Sequence, residues 1–308
     1  MAGWQRHALV NRLQSLLLLS LLLLISAGAG WLLWGAEGFW LALGASLVAM
    51  LLEPVAAGRL TLALYGARPL EPAQAPALHR LVATLAERSD LPVAPRLYRV
   101  PSNLANAFAV GSRRAPAVAL TDGLLATLNL REIAGVLAHE IAHIANGDLR
   151  VMGLADYVSR LTHLFALTAQ LMLLLSLPAL ASGRIEIEWG GLLLLLFSPH
   201  LALLAQLGLS RVREFDADLL AVRLTGDPLG LAAALAKIEA VSRSWRTWLF
   251  PGWGNPEPSW LRTHPATEAR ITRLQALETG ATAWQDEYWN WPVAADAGPR
   301  WRLGGIWR

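Results

Sequence analysis

Two histidines and one glutamate are spaced so as to form a metal centre with its own catalytic base. His139 and His143 are four residues apart, so on a helix they lie on the same face and can bind one ion. Glu140 follows the first histidine, where its carboxylate can take a proton from a water molecule beside the metal. This H-E-x-x-H pattern is typical of zinc metalloproteases. The alternative is a helix that carries two solvent-facing histidines.

A catalytic zinc ion needs a third protein ligand, and the chain contains no cysteine that could supply it. The residues after His143 contain no histidine at the spacing that metzincin proteases use. A glutamate on a later helix is the other common solution, and Glu214 fits it. Asp218 lies one turn further on the same predicted helix face, where it can accept a hydrogen bond from a ligand imidazole. A merely solvated acidic helix face would have the same pattern.

The composition indicates membrane spans together with a water-soluble domain. Of the 308 residues, 55% are apolar and 16% are charged, which is too apolar for an ordinary soluble protein and too charged for a chain buried wholly in lipid. The net charge of +3 comes almost wholly from arginine, since Lys237 is the single lysine. The arginines flank apolar runs and form no basic tract, so we expect no nucleic-acid partner.

Four apolar runs predict membrane-spanning helices, at about residues 13–34, 39–57, 161–181 and 189–209. Arginines follow the first pair of runs and flank the second pair, which by the positive-inside rule places the N-terminus and the soluble segments in the cytoplasm. The first run could instead be a cleaved signal peptide, which would leave the side of the later domain unchanged. The second pair could instead be a buried hairpin of a soluble core.

The elements that must position the motif are helices and a small sheet. Three short extended segments, Arg96 to Val100, Asn106 to Val110 and Ala117 to Thr121, predict an antiparallel sheet just before the motif helix. The predicted organisation has five segments: a transmembrane hairpin over 1–58, the first half of a catalytic domain over 59–156, a second transmembrane hairpin over 157–210, the second half of the domain over 211–280, and a Trp-rich tail over 281–308.

Together these motifs resemble the membrane zinc endopeptidases that include the HtpX heat-shock proteases and the CAAX prenyl endopeptidases, and more closely the former. The resemblance covers about residues 70 to 275. It is carried by Asn106-Ala107-Phe108-Ala109, by His139 to His143 with Asn146-Gly147-Asp148, by Arg213 to Asp218, and by Thr263-His264-Pro265 with Glu268 and Arg270. The Trp-rich region after Val241 departs from the family pattern.

The resemblance implies a mainly α integral membrane protein with about four transmembrane helices and a cytoplasmic gluzincin-type zinc protease domain. It implies a bound Zn²⁺ ion and a multi-pass position in the cell inner membrane. The expected partners are the lipid bilayer and protein or peptide substrates. The expected activity is hydrolysis of peptide bonds in misfolded or damaged membrane proteins.

The metal site follows from the residues and the resemblance together. His139, His143 and Glu214 are expected to bind Zn²⁺, and Asp218 to hold a ligand imidazole from behind. Glu140 is expected to act as general base on the attacking water.

The substrate-binding residues are more open to alternatives. Asn106, Ala107 and Phe108 are predicted to form an edge strand that pairs with an extended peptide, although Asn106 could instead only complete a turn. His264 is a candidate for stabilising the tetrahedral oxyanion, its alternative being a structural cap. Arg270 is expected to form a salt bridge on its own element.

Three other functions share parts of the pattern. A site-2-type intramembrane protease would bury the motif in a span, whereas Arg131, Glu132, Asp148 and Arg150 flank it and predict an aqueous surface. A catalytically silent, zinc-bound membrane chaperone or scaffold would keep the same fold. A transporter would need polar residues inside several spans, and these spans contain almost none.

Overall fold

The computed structural model describes residues 2–51, 54–184, 188–246 and 267–278. The predicted Trp-rich tail lies outside these residues. So do residues 247–266, which include His264 and most of the Trp-rich region that follows Val241. The elements, in chain order, are α1 (Ala2–Leu51), α2 (Pro54–Leu64), β1 (Arg68–Pro69), α3 (Pro76–Arg88), β2 (Arg96–Val100), β3 (Ala107–Ser112), β4 (Ala115–Thr121), α4 (Asp122–Thr127), α5 (Leu130–Asn146), α6 (Asp148–Ala181), α7 (Trp189–Thr225), α8 (Pro228–Arg246) and α9 (Thr267–Glu278).

Three of the described helices are long and apolar enough to cross a membrane: Leu13–Val48 within α1, α6 and α7. The first of them folds back on itself. Trp34 and Gly35 leave helical geometry, the latter with φ 62° and ψ −142°, a conformation that favours glycine. The backbones of Gly30 and Gly38 then touch, although eight residues of straight helix would separate them by about 12 Å. The two halves of α1 therefore correspond to the first two predicted spans, and the prediction of a multi-span membrane protein is confirmed.

Small side chains line the contacts between these helices. Leu22 and Phe165 are almost fully buried, and alanines surround them in two clusters: Ala155, Ala202 and Ala205 near the first, and Ala29, Ala42 and Ala169 near the second. Burial of apolar surface gives little association energy in lipid, so helices there pack through small residues that let their backbones approach. Together α1, α6 and α7 form a bundle. Its packing sets the positions at which α6 and α7 reach the motif helix α5.

Both long helices extend from the apolar bundle into the soluble region that contains the motif helix. The predicted segment boundaries near residues 156 and 210 fall inside α6 and α7 respectively. Along α6 the side chains change from charged to apolar, and along α7 from apolar to charged, while the backbone stays helical through Pro178 and Pro199. The change in composition in these helices therefore indicates where the membrane surface lies. It does not coincide with the end of a helix.

The sheet has four strands in the order β1-β2-β4-β3. Strands β3 and β4 form the predicted antiparallel hairpin, with Val110 opposite Ala117, and β1 pairs antiparallel with β2. The prediction of a wholly antiparallel sheet was wrong for β2 and β4, which run parallel with Tyr98 opposite Ala119. The chain after β2 passes to the far side of β4 before β3 begins, and strand alternation alone does not reveal such a crossing. As a result β3 is an edge strand.

The two faces of the sheet are covered by different helices. Alternate residues of β3, Ala107 and Ala109, belong to the large core that includes Leu137 and Ile141 of α5. Phe108 faces the other way, is fully buried, and lies 5.1 Å from the ring of Tyr65 just after α2. The sheet thereby connects the motif helix to the segment that leaves the first membrane hairpin.

The motif helix α5 has well-defined ends. The side chain of Asn129 accepts a hydrogen bond from the amide of Glu132, whose carboxylate accepts one from the amide of Asn129 in return. Gly147 ends the helix in the left-handed conformation, with φ 74°, and α6 begins at the next residue. This sharp change of direction aims the first side chain of α6 back at α5.

Asp227 joins α5 to the start of α8 and supports a first prediction. Its carboxylate accepts hydrogen bonds from Arg131 at 2.5 and 2.7 Å and from the amide of Gly230 at 2.9 Å. Burial, which raises the pKa of Asp227, is outweighed by these bonds, so the pKa lies below its usual value. The ion pair therefore stabilises the fold above about pH 4, and this contribution is lost as the pH falls through the lowered pKa.

Replacing Asp227 by asparagine is expected to lower the free energy of unfolding by about 1–2 kcal/mol at pH 7, because a charged hydrogen-bond partner is lost. The deficit relative to wild type should shrink as the pH approaches 3. Denaturant melts of the detergent-solubilised protein at both pH values measure it. Asp156→Asn, which removes an ion pair on the exposed face of α6 with Arg160, is the control and should cost less than about 0.5 kcal/mol. An equal deficit for Asp227→Asn at both pH values would contradict the ion-pair explanation.

Candidate metal centre

Three potential metal ligands from two distant helices meet in the structure. His139 and His143 come from α5, and Glu214 comes from α7. The Nε2 atoms of the histidines are 3.1 Å apart, and they lie 3.3 and 3.6 Å from the two carboxylate oxygens of Glu214. One ligand atom of each residue lies within 4.8 Å of the others. Two imidazole nitrogens and a carboxylate oxygen are a donor set that suits zinc.

Each histidine is held from behind by a carboxylate. Nδ1 of His139 lies 3.0 Å from Asp218, and Nδ1 of His143 lies 2.8 Å from Asp148. A carboxylate only accepts hydrogen bonds, so Nδ1 of each ring carries a proton, and Nε2 is the nitrogen that would bind a metal once its own proton is lost. The prediction that Asp148 marks an aqueous surface was wrong, since it is only 1% exposed. The sequence did contain an indication of this contact. Gly147 ends α5 in a left-handed turn, which directs the side chain of Asp148 back toward His143.

The two carboxylates are in turn held by arginines. Arg213 donates to Asp148 at 3.0 Å. Arg270, on α9, donates to both oxygens of Asp218 at 2.6 and 2.8 Å and lies 2.8 Å from Glu214. The prediction that Arg270 pairs on its own element was therefore wrong. Residues two apart on a helix, such as Glu268 and Arg270, do not face each other, whereas α9 packs this arginine against α7.

The cluster carries an excess of negative charge. Burial lowers the pKa of Arg270, but Asp218, Glu214 and, to a smaller extent, Glu140, which is buried beside His139 on α5, together raise it above its usual value. Burial also lowers the pKa of His143, but hydrogen bonds to Asp148 and Glu214 outweigh it and raise that pKa well above its usual value. With Asp148, four carboxylates face two guanidinium groups. With both imidazoles neutral, as metal ligands are, a divalent cation would balance the remaining two negative charges, so both the donor set and the charge of the site fit a metal such as Zn²⁺.

The match to known families settles which group this chain falls into. Residues 72–278, about two thirds of the chain, match Peptidase family M48. The chain belongs to this family. The M48 match begins near α3 and ends with α9, so it includes every residue of the cluster.

Curated M48 relatives share most of the chain. A "Protease HtpX homolog" from Acaryochloris marina is 37% identical over 285 residues, which cover 87% of this chain and 95% of that protein. Homologues of the same name from Nostoc punctiforme and Aquifex aeolicus are 36% identical over 273 residues and 37% identical over 240 residues; they cover 83% and 71% of this chain, and 92% and 77% of their own lengths. The crystal structure of S. mikatae Ste24p aligns with 87% of this chain and 66% of that one, at a TM-score of 0.49 and 19% identity. With its spans, this M48 chain is a membrane protease.

The predicted substrate-binding segment lies at the edge of the sheet. Within the described ranges, β3 pairs with a strand on one side only. The backbone of Asn106 exchanges hydrogen bonds with Thr121, which caps α4. Phe108 is 0% exposed and Ala107 is 7% exposed, backbone included, so pairing with a peptide here requires the elements that cover this edge to move aside. Their role in this M48 chain stays a prediction.

Asp148 gives a second prediction for the metal centre of this M48 protein. Replacing it by asparagine removes the charge that holds Nδ1 of His143 and should weaken metal binding by about 10- to 100-fold, as is usual for such supporting carboxylates. Competition with a coloured chelator measures the affinity. Asp156→Asn, at an exposed ion pair on the same helix, should leave the affinity unchanged. Equal affinities for the two variants would show that Asp148 does not support the ligand.

Proposed function

We propose that this chain is a zinc-dependent endopeptidase that hydrolyses peptide bonds of misfolded or damaged membrane proteins, as part of protein quality control. The observation that supports this most is the convergence of His139, His143 and Glu214 beside Glu140. A site of this composition can activate water at neutral pH, and its family consists of peptidases.

The chemistry divides between the metal and the side chains. A bound zinc ion would polarise the peptide carbonyl and lower the pKa of a nearby water molecule toward 7. Glu140 accepts the proton of the attacking water and returns it to the leaving nitrogen. His139, His143 and Glu214 would hold the ion, while Asp218 and Asp148 fix the two rings. His264, which lies outside the described residues, is proposed to stabilise the oxyanion.

Pairing with β3 would select extended substrates. A peptide that adds to the unpaired edge of β3, once that edge is uncovered, must expose its own backbone over several residues, which a folded domain does not. We therefore infer that Asn106, Ala107 and Phe108 bind substrate through their backbone. Unfolded or damaged proteins would be cut, whereas tightly folded ones would be spared.

The distance from the membrane favours membrane-protein substrates. Glu214 follows the last apolar residue of the α7 span, Leu209, by five positions, which corresponds to about 8 Å along the helix. A loose segment that remains anchored in the bilayer is thus held close to the site. The arginines that flank the spans support a position in the inner membrane, with the N-terminus and the catalytic region in the cytoplasm. The five-segment organisation predicted from the sequence is kept as a proposal on the same grounds.

Metal content and cleavage, measured on the same preparations, test this function. Purified wild-type protein should contain stoichiometric zinc and should cut a misfolded membrane protein in proteoliposomes faster than a folded one. Glu214→Ala should lose both zinc and cleavage, and treatment of wild type with a chelator followed by Zn²⁺ should restore cleavage. A protein that retains zinc and binds the misfolded substrate without cutting it would instead be the zinc-bound chaperone or scaffold.

A further inference from the structure

A cavity that none of the metal ligands lines lies between the turn that joins β3 to β4 and the junction of α5 with α6. We call it the basic cavity; it has a volume of about 320 Å³. Ser112, Arg113 and Arg114 line it from the turn, and Gly147, Leu149 and Arg150 line it from the junction. Its lining includes three arginines and no acidic side chain.

The positive charge of the basic cavity is not neutralised by the described residues. Arg113 donates to the backbone carbonyls of Ala145 at 2.6 Å and of Asp90 at 3.0 Å, which hold the guanidinium in place but leave its charge. Arg114 and Arg150 are exposed, and within the described ranges neither has a carboxylate partner. Arg99, Arg131, Arg213 and Arg270, by contrast, each pair with an aspartate. A cavity with this charge attracts anions.

Two further features of the cavity point to a ligand with several acceptor oxygens. The hydroxyl oxygen of Ser112 is buried and has no hydrogen-bond partner among the described residues. Buried polar groups are normally hydrogen-bonded, so this hydroxyl lacks a partner that a ligand oxygen reaching it would supply. The amino end of α6, a helix of 34 residues, also borders the cavity, and no side chain caps it. The partial positive charge of a helix N-terminus adds to that of the arginines.

We propose that the basic cavity binds a phosphate group. Its donors approach from two sides, with Ser112 and Arg114 on the turn and Arg150 on α6. The tetrahedral oxygens of a phosphate can accept from both sides at once, and guanidinium groups are the side chains that recognise phosphate best. This inference goes beyond the proteolytic function and does not depend on it.

The phosphate has two chemically equivalent sources. One is the headgroup of an anionic lipid, because the turn lies close to where the chain leaves the first membrane hairpin. A Cβ atom placed on Gly58 of α2, seven residues after α1 ends, would lie 3.0 Å from the amide nitrogen of Gly111. The other source is a soluble phosphate compound. In either case the ligand would contact Arg150, two residues after the Asp148 that holds His143, and would thus stabilise the start of α6.

Binding of defined probes to the full-length protein tests the proposal. Calorimetry with inorganic phosphate measures the soluble source. Native mass spectrometry after mixing with phosphatidylglycerol or with phosphatidylcholine measures the lipid source. The double variant Arg114→Gln/Arg150→Gln should weaken binding by about tenfold or more, and Ser112→Ala, which keeps every charge, should weaken it by a few fold. The matched control, Arg68→Gln/Arg96→Gln, removes two exposed arginines from β1 and β2 outside the cavity and should bind as wild type does.

The outcomes separate the sources and can overturn the proposal. Saturable binding of inorganic phosphate that the double variant loses assigns a soluble ligand. Preferential retention of phosphatidylglycerol over phosphatidylcholine that the double variant loses assigns a lipid headgroup. Equal binding by the double variant and the control, or no saturable binding of either probe to wild type, shows that the cavity is not a phosphate site.

Discussion

Replacing Glu140 by glutamine is expected to reduce peptide hydrolysis by about 10²- to 10⁴-fold while the protein keeps its metal and its fold. Glutamine has nearly the same shape as glutamate but cannot take a proton from water. Glu140 is 9% exposed and is no member of the ligand cluster, so the three ligands keep their positions in the variant. Initial rates on an unfolded substrate, together with zinc content, measure the effect.

The control for this change is Glu87→Gln, which alters an exposed carboxylate on α3 and should leave both quantities unchanged. Loss of zinc in Glu140→Gln would place this carboxylate among the ligands. Undiminished hydrolysis would exclude it as the base and, with it, the proposed mechanism.

Replacing Arg270 by methionine is expected to destabilise the metal-free protein by about 3–5 kcal/mol, because Asp218 and Glu214 would be left buried without their counter-charge. The two acids lie one helical turn apart, and Arg270 contacts both of them. Bound zinc would supply positive charge at Glu214, so we expect a smaller loss for the zinc-loaded protein. Lysine at this position should restore only part of the stability, since it cannot bind both oxygens of Asp218 as the guanidinium does.

Thermal unfolding with a chelator and with added zinc measures these differences. The matched variant is Arg273→Met on the same helix, where the guanidinium lies exposed over the ring of Phe215 at 4.0 Å. That contact should be worth about 1 kcal/mol or less. If Arg270→Met and Arg273→Met lowered the unfolding midpoint equally, with and without zinc, the charge of Arg270 would have no special role at the site.

Local spacing predicted the parts of the site that depend on one helix. The four-residue separations of His139 from His143, and of Glu214 from Asp218, follow directly from the turn of an α-helix, and hydropathy alone predicted the spans. That the two helices meet was inferred from known combinations of zinc ligands, because spacing contains no information about residues seventy positions apart.

Apart from the contact of Asp148 with His143 across the turn at Gly147, the contacts that the sequence did not predict are long-range or depend on chain direction. Arg213 and Arg270 reach Asp148 and Asp218 from other elements, and nothing in their own neighbourhood reveals those partners. The parallel pairing of β2 with β4 depends on where the connection runs, and the burial of Phe108 depends on α2 lying over that face of the sheet. Each of these features depends on how helices and strands pack against one another. The local conformational preferences of the residues do not determine them.

Because α7 contains both an apolar span and the metal ligand Glu214, a tilt of this helix in the bilayer would shift that ligand. Glu214 is fifteen residues beyond Pro199, an interior proline at which α7 can bend, or about 22 Å, so tilting this part of the helix by one degree would move the carboxylate by roughly 0.4 Å. Metal–ligand distances tolerate deviations of only about 0.2 Å. We therefore expect zinc affinity to change between vesicles of short and long acyl chains, since helices tilt to match the thickness of the lipid that surrounds them. An affinity independent of chain length would show that the soluble elements, and not the lipid, hold α7 in place.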